Sequence, residues 1–432
     1  MSFVEFSKKQ SVKTAVVYPD IYGVFCALPP EARLEEAKGL ARAINLDVVY
    51  EEIIKVRFVK PATLVGQGVL DRLLLNIAEK NIELVVFDTS LTPIQQRNLE
   101  KKLNVKVIDR TALILEIFGE RAQTKEGKLQ VELAHLTYQR SRLVRSWTHL
   151  ERQRGGAGFL GGPGETQIEL DRRIIDDKII RIKHDLEKVK QTRAIQRSAR
   201  KRVPYPVVAF VGYTNAGKST LFNLLSGSDV FAKDLLFATL DPSMRKIRLP
   251  LSGKEVIVSD TVGFISDLPH ELIMSFRATL EEVLSADLIV HIRDIASENT
   301  KEQRKDVLDV LENLGFVDFI NSKQYVEVLN KIDLLTEDKK DEVRSHLKDG
   351  MVMVSAHTGE GVEEFLRLVD DRLSAEFSTF EAKIDTKNGR LIAWIHANSQ
   401  VVESVNIDDY IKFKIRISKE NLGKFEHLLK ST

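Results

Sequence analysis

The chain reads as a multidomain α/β protein. It combines an N-terminal α/β domain carrying a long antiparallel helical hairpin, a central P-loop domain on a doubly wound sheet, and a small C-terminal α+β domain. Three observations set this expectation. Short apolar runs alternate with amphipathic stretches from residue 14 to about 120, a heptad spacing replaces that rhythm near residue 125, and G-x-x-x-x-G-K-S follows an apolar run at residues 212 to 219. The boundaries that follow are 1–120, 121–202, 203–374 and 375–432.

In the first unit, TAVVY, LDVVYEEIIKV, ELVVFD and VKVIDR are strand candidates, and EARLEEAKGLARAI, VLDRLLLNIAEK and PIQQRNLEKKL lie between them as helices. Alternation of this kind gives a largely parallel sheet. In the second unit, Leu129, Leu133, Leu136, Leu143, Trp147 and Leu150 keep a heptad seam with Arg140 in the skipped position, and Ile168, Ile175, Ile179, Ile182, Leu186 and Val189 repeat it. The turn between the two helices has six glycines in residues 155 to 164. It lacks the lysine and preceding strand of a phosphate cradle, so it reads as a slim tip, with Phe159 and Leu160 as candidates for packing on bases. Pro204 and Pro206 mark the next boundary. In the last unit, RLIAWIHA and YIKFKIRIS are strand candidates and NLGKFEHLLK a terminal helix.

With 64 Lys and Arg against 63 Asp and Glu, the net charge is +1, which excludes a global field for nucleic acid. The charge is instead concentrated. Residues 172 to 202 hold twelve Lys or Arg against four acids, and Arg140, Arg142, Arg145, Arg152 and Arg154 add to them on the partner helix. That surplus points to polyphosphate contact. One cysteine, Cys26, excludes a disulfide framework and any cysteine-based zinc site, as in a reducing cytoplasm. The sequence shows no signal core and no apolar run of membrane-spanning length, so membrane contact is at most peripheral. The nine histidines form no metal-ligand pattern, and His270 alone lies near the chemistry below.

Four motifs in fixed order carry that chemistry. GYTNAGKST places a P-loop between strand and helix: backbone amides of Gly212, Tyr213, Thr214, Asn215, Ala216 and Gly217 surround the β-phosphate, Lys218 reaches the β and γ oxygens, Ser219 binds Mg²⁺, and Thr220 opens the helix. EVIVSD runs into TVG, which puts Asp260 where it holds the magnesium through water, with Thr261 and Val262 leading to a Gly263 amide that senses the γ-phosphate. In NKID, Asp333 offers two oxygens to the adjacent N–H donors of guanine, which selects GTP over ATP; Asn330 braces the P-loop, the Lys331 stem lies along the base, and Ile332 links them. Beyond the run MVMV, a backbone amide at Ser355, Ala356 or His357 is placed to meet guanine O6. Between the first two motifs lies FATLD, residues Phe237, Ala238, Thr239, Leu240 and Asp241. Thr239 is the candidate to complete the magnesium shell, with Ser243 as the alternative.

The catalytic candidates are therefore Lys218, Thr239 and Gly263. A glutamine follows D-x-x-G in Ras-like enzymes and orients the attacking water; Phe264 occupies that position here, so slow intrinsic hydrolysis is expected. Asn215 is the residue type found at this place in potassium-activated GTPases, which makes K⁺ a side hypothesis.

With these residues in hand, the chain resembles the HflX-type ribosome-associated GTPases. The resemblance runs from about residue 15 through essentially the whole chain. It is most specific in FDTSLTPIQQRNLE (87 to 100), in GKLQVELAHLTYQRSRLVRSWTHLERQRGGAGFLGGPGETQIELDRR (127 to 173), and in GYTNAGKST, FATLD, DTVGF and NKID. DTVGF carries the family's phenylalanine. The tip departs from the pattern, with Phe159 and Leu160 where members commonly carry an arginine. The resemblance implies a GTP-bound monomer that binds the large ribosomal subunit and its rRNA through the hairpin and tip. It further implies dissociation of stalled or idle 70S ribosomes under stress, with hydrolysis stimulated by the ribosome.

Two other classes are consistent with a GTP site: a regulatory GTP-binding protein whose hairpin docks a protein, and an RNA-modification GTPase. The mostly basic face of residues 172 to 202 argues against the first, and Cys26, outside any catalytic context, against the second.

Overall fold

A computed structural model describes residues 11–24, 26–153, 167–200, 205–227, 236–237, 243–267, 283, 286–316, 322–374, 377–407 and 409–430. The tip at 155 to 164, Ala238, Thr239, Leu240, Asp241 and His270 lie outside this set.

The N-terminal sheet is built from β1 (Lys13–Ile21), β2 (Asp47–Val56), β3 (Leu84–Phe87) and β4 (Lys106–Asp109) in the order β2-β1-β3-β4. All three pairings are parallel. Alternate side chains of β1 face opposite layers, as a period of two dictates. Ala15 and Val17 join Leu70, Leu73 and Leu99 from α2 (Gln67–Lys80) and α3 (Pro93–Leu103). Val16 and Tyr18 join Leu40, Ile114 and Phe118 from α1 (Pro30–Ala43) and α4 (Arg110–Arg121). The second layer continues into the central domain, taking in Val211, Tyr213, Phe237 and Phe264, so the two domains share one apolar core.

α5 (Lys125–Gln153) and α6 (Gln167–Arg200) are the hairpin helices. Leu129, Leu133 and Leu136 pack on Ile175, Ile179, Ile182 and Leu186, the heptad positions of the two helices. Arg140 pairs across the seam with Asp176 at 2.8 Å. Arg142 turns to the N-terminal domain instead, donating to Asp109 at 2.6 Å. Both arginines were expected to face polyphosphate; internal carboxylates take them. The exposed cations Lys178, Arg181, Lys183 and Lys188 lie on α6.

The central sheet runs β10-β9-β8-β5-β7-β6, from β5 (Val207–Val211), β6 (Ser243–Arg248), β7 (Glu255–Asp260), β8 (Leu288–Asp294), β9 (Tyr325–Asn330) and β10 (Met351–Met353). Only β6 is antiparallel among these pairings. α7 (Lys218–Ser226), α8 (Thr300–Asn313), α9 (Glu337–Ser345) and α10 (Val362–Ser374) are helices of this domain.

The C-terminal domain has β11 (Phe377–Asp385), α11 (Gly389–Asn398), β12 (Gln400–Ile407), β13 (Tyr410–Ser418) and α12 (Lys419–Lys430), with strand order β11-β13-β12. RLIAWIHA, expected as a strand, is helical. The Asn388 side chain caps its start by accepting from Leu391 N at 3.1 Å, and Leu391 and Ile395, four apart, are buried together. A side-chain cap and an i, i+4 pair outweigh the strand propensity of isoleucine and tryptophan.

β8 contributes a titration prediction. His291 is buried, with Nδ1 2.8 Å from the Tyr325 hydroxyl, and burial pulls its pKa down to about 3. A base depressed in the fold adds stability that is full above its ordinary value near 6.5 and is lost as pH falls towards 3. Between pH 7 and 5 the protein should lose about 2 kcal/mol through this group. Denaturation of wild type and His291→Phe at both pH values checks it: the variant should lack that increment of acid sensitivity.

Candidate nucleotide site and its coupling to the N-terminal domain

The P-loop leaves β5 at Gly212 and enters α7 at Lys218. Two of its positions accept only glycine. A Cβ on Gly212 (φ +156°) would stand 2.2 Å from the Ile292 carbonyl oxygen, and one on Gly217 (φ +93°) would stand 2.1 Å from Asn330 Nδ2. Asn330 explains the second restriction. Its Nδ2 donates to the Ala216 carbonyl at 2.8 Å while its Oδ1 accepts the Ala356 amide at 2.9 Å, so one side chain ties the P-loop to the turn after β10.

Lys218 is buried, and its Nζ donates to the carbonyls of Gly212 and Tyr213 at 3.1 and 2.7 Å. Burial pulls its pKa down to about 8, with Asp260 opposing the shift. Asp260, fully buried at the end of β7, accepts from Ser219 Oγ at 2.7 Å. A hydroxyl and a carboxylate side by side are hard oxygen donors of the kind Mg²⁺ prefers. Among the described residues, no group of three or more His, Cys, Asp or Glu forms a separate metal cluster.

The segment after Asp260 lies across the P-loop. The Thr214 amide donates to the Phe264 carbonyl at 2.7 Å, and the Phe264 amide to the Gly212 carbonyl at 3.1 Å. Gly263 is packed so closely that a Cβ would meet Lys218 Nζ at 3.0 Å and Thr214 Cα at 2.9 Å. Thr261 Oγ1 donates to the Phe210 carbonyl at 2.6 Å, Val262 joins the shared core, and the Phe264 ring is buried there. No polar side chain stands at the 264 position to orient water.

At the opposite end, Asp333 is exposed in the Ile332–Leu334 turn, and its Oδ1 accepts from Ser355 Oγ at 2.6 Å. Lys331 adopts φ +66° and pairs with Asp294 at 2.7 Å. Ser355 N is bound to the Glu360 carbonyl at 2.9 Å and Ala356 N to Asn330, so a base oxygen arriving at Ala356 competes with Asn330 Oδ1. His357, next in the turn, is exposed. Asn215 is also exposed, in the left-handed region at φ +60°, and lines a cavity of about 720 Å³ with Glu36, Asp294 and Glu298. Thr220 is exposed at the start of α7. Phe237 is buried and packs edge-on against Phe118 of α4, ring centres 4.7 Å apart. Ser243 heads β6.

What holds this segment from outside the central domain has no local sequence pattern. The Tyr213 hydroxyl accepts the Ser266 amide at 2.8 Å, lies 2.7 Å from Ser266 Oγ, and meets the carboxylate of Glu36 on α1. Burial and Glu36 together push the Tyr213 phenol well up. Arg110 donates to the Ser266 carbonyl at 2.8 Å and pairs with Glu36 and Asp88. Arg33 pairs with Asp267 at 2.9 Å and Asp88 at 3.2 Å. Asp306 of α8 accepts from Ser266 Oγ at 3.1 Å, and burial raises its pKa to about 6. A tyrosine inside a P-loop, a position that needs no side chain, was the available clue. Its partners lie 53 and 177 residues away, beyond any local pattern.

Comparisons with known proteins agree along the chain. Family models described as GTP-binding GTPase N-terminal, GTP-binding GTPase middle region, 50S ribosome-binding GTPase and HflX C-terminal domain match residues 31–119, 121–200, 207–331 and 342–431. The GTPase HflX of Magnetococcus marinus is 47% identical over 393 residues, covering 91% of this chain and 90% of that protein. The GTPase HflX of Escherichia coli is 43% identical over 359 residues, 83% of each. A GTP-binding protein from Sulfolobus solfataricus, solved in complex with GDP, matches with a TM-score of 0.45 at 21% identity, covering 84% of this chain and 99% of that one.

Proposed function

The chain belongs to the HflX family of GTPases, and from that membership we propose that it binds the large ribosomal subunit in its GTP form and dissociates stalled or idle 70S ribosomes under stress. Ribosome-stimulated hydrolysis then releases it. The observation that carries this reading is the set of exposed cations on α6, Lys178, Arg181, Lys183 and Lys188, on a helix hairpin held to the N-terminal domain through Arg142 and Asp109. Phosphate contacts of this kind position a protein on RNA, and they make its binding salt-dependent.

In the nucleotide site, Lys218 holds the β and γ oxygens, the P-loop amides surround the phosphates, and Asp333 reads guanine. Ser219 and Thr239 would hold Mg²⁺, with Asp260 through water; Thr239 lies outside the described residues. The ion supplies neutralisation of phosphate charge. Asn215, with its exposed side chain, is the candidate for K⁺. Because the Phe264 ring can neither accept nor donate a hydrogen bond, the group that orients water comes from the ribosome, a rearranged segment or a bound cation. A cytoplasmic monomer fits this role. Among the described residues, no helix is long and apolar enough to cross a membrane.

Sucrose gradients of 70S ribosomes test the proposal. Wild-type protein with GTP should convert them to subunits and Lys218→Ala should not; large-subunit binding should need GTP or its non-hydrolysable analogue. Equal sedimentation with GDP and the analogue at moderate salt would overturn it.

A further inference from the structure

The two most exposed large apolar side chains among the described residues are Tyr22, at 86%, and Phe58, at 82%. They lie at the same edge of the molecule. β1 and β2 pair in parallel up to Ile21 and Val56, and the Tyr22 amide donates to the Val56 carbonyl at 3.0 Å, so the residues that follow leave the sheet side by side. Val24 and Val59 are exposed beside them.

Both rings stand on fixed backbone. Val24 N donates to the Ile21 carbonyl at 3.1 Å, closing a turn with Tyr22 and Gly23 at its centre and Gly23 at φ +84°. After Phe58, Lys60 and Leu64 exchange two backbone hydrogen bonds at 3.0 and 2.7 Å, and Asn98 of α3 donates to the Ala62 carbonyl at 2.9 Å. Two rigid loops that keep aromatic rings in water gain nothing for the fold, which marks the rim as a surface for a partner.

Charge identifies the partner. Lys55, Arg57 and Lys60 are exposed in the β2 segment, and across residues 20–24 and 55–62 the only acid is Asp20. Arg57-Phe58-Val59-Lys60 sets an aromatic ring between two cations, the pattern that stacks on an unpaired base while its neighbours meet phosphates. The geometry points to this rim as a second RNA-binding surface, carried by the loops after β1 and β2 and not by α6 or the P-loop, that takes splayed-out bases of ribosomal RNA. It rests on the ribosome reading above. The hairpin holds the backbone of one RNA region, and the rim stacks on single-stranded nucleotides of another.

Full-length protein, large subunits and a non-hydrolysable GTP analogue test this. Tyr22→Ser with Phe58→Ser should weaken subunit binding by about tenfold or more for each ring lost, with GTP hydrolysis by the free protein unchanged. Phe58→Trp should bind like wild type and lose indole fluorescence on the subunit. A photo-crosslinking phenylalanine analogue at position 58 should give RNase-sensitive adducts. Unchanged binding of the double variant would overturn the rim while leaving the ribosome reading intact, and adducts to protein alone would overturn the choice of RNA. Wild-type protein that fails to bind subunits would remove both.

Discussion

Asp333→Asn should lower the affinity for GTP by about a thousandfold and raise that for XTP. A guanine base presents two adjacent N–H donors, and the exposed Asp333 carboxylate, steadied through Oδ1 by the Ser355 hydroxyl at 2.6 Å, offers two acceptors. Asparagine keeps one oxygen and turns an NH₂ group towards a guanine donor, leaving two donors opposed in a desolvated site. Xanthine, with an oxygen at that edge, accepts the same NH₂. Sites that read a base by paired polar groups discriminate by factors of about 10⁴ or more, because the wrong partner leaves those groups unmatched. Competition titrations with GTP and XTP on both proteins measure the exchange, and equal affinity of both for GTP would remove Asp333 from the base site.

Arg110→Leu should damage the fold strongly. The Arg110 guanidinium is buried, pairs with Glu36 and Asp88, and donates to the Ser266 carbonyl. Removing it leaves the buried carboxylates of Glu36 and Asp88 to Arg33 alone, which lies 3.9 and 3.2 Å from them, a loss of roughly 3 kcal/mol, or about 10 °C in the unfolding midpoint. Adding Asp88→Asn to Arg110→Leu leaves Glu36 as the one buried acid for Arg33 to balance there, so it should recover part of the midpoint. An unchanged midpoint for Arg110→Leu alone would show that water reaches the pocket and that the network contributes little.

These two residues mark the limits of what the sequence displayed. Asp333 stands out as a candidate because the chemistry of a nucleotide site fixes residue types at short spacing after strands, and strands are legible from their apolar runs. The parallel N-terminal sheet, the heptad seam and the central sheet were legible for the same reason: each repeats locally. Arg110 was invisible, since its partners Glu36 and Ser266 lie 74 and 156 residues away and nothing in VKVIDR marks its last charge as buried. Arg140 and Arg142 misled in the opposite direction. Each read as part of a basic face, yet Asp176 and Asp109 claim them, and only the three-dimensional register decides which arginines meet carboxylates. RLIAWIHA failed for a third reason, because its cap, Asn388, precedes the stretch that looks like a strand.

Asp109 ends β4 and caps α4, and it also accepts from Leu91 N at 3.2 Å, the Tyr138 hydroxyl at 2.8 Å and Arg142 at 2.6 Å. Loop, sheet end and hairpin thus converge on one carboxylate, which braces α5 partway along its length. Beyond Arg142, α5 runs to Gln153, about 16 Å at 1.5 Å per residue. A tilt of about 5° at this contact would therefore displace the end of α5 by about 1.4 Å, about half the length of a hydrogen bond. Asp109, with the apolar packing of Val131, Ala134 and Tyr138 beside it, sets the aim of the helix beyond.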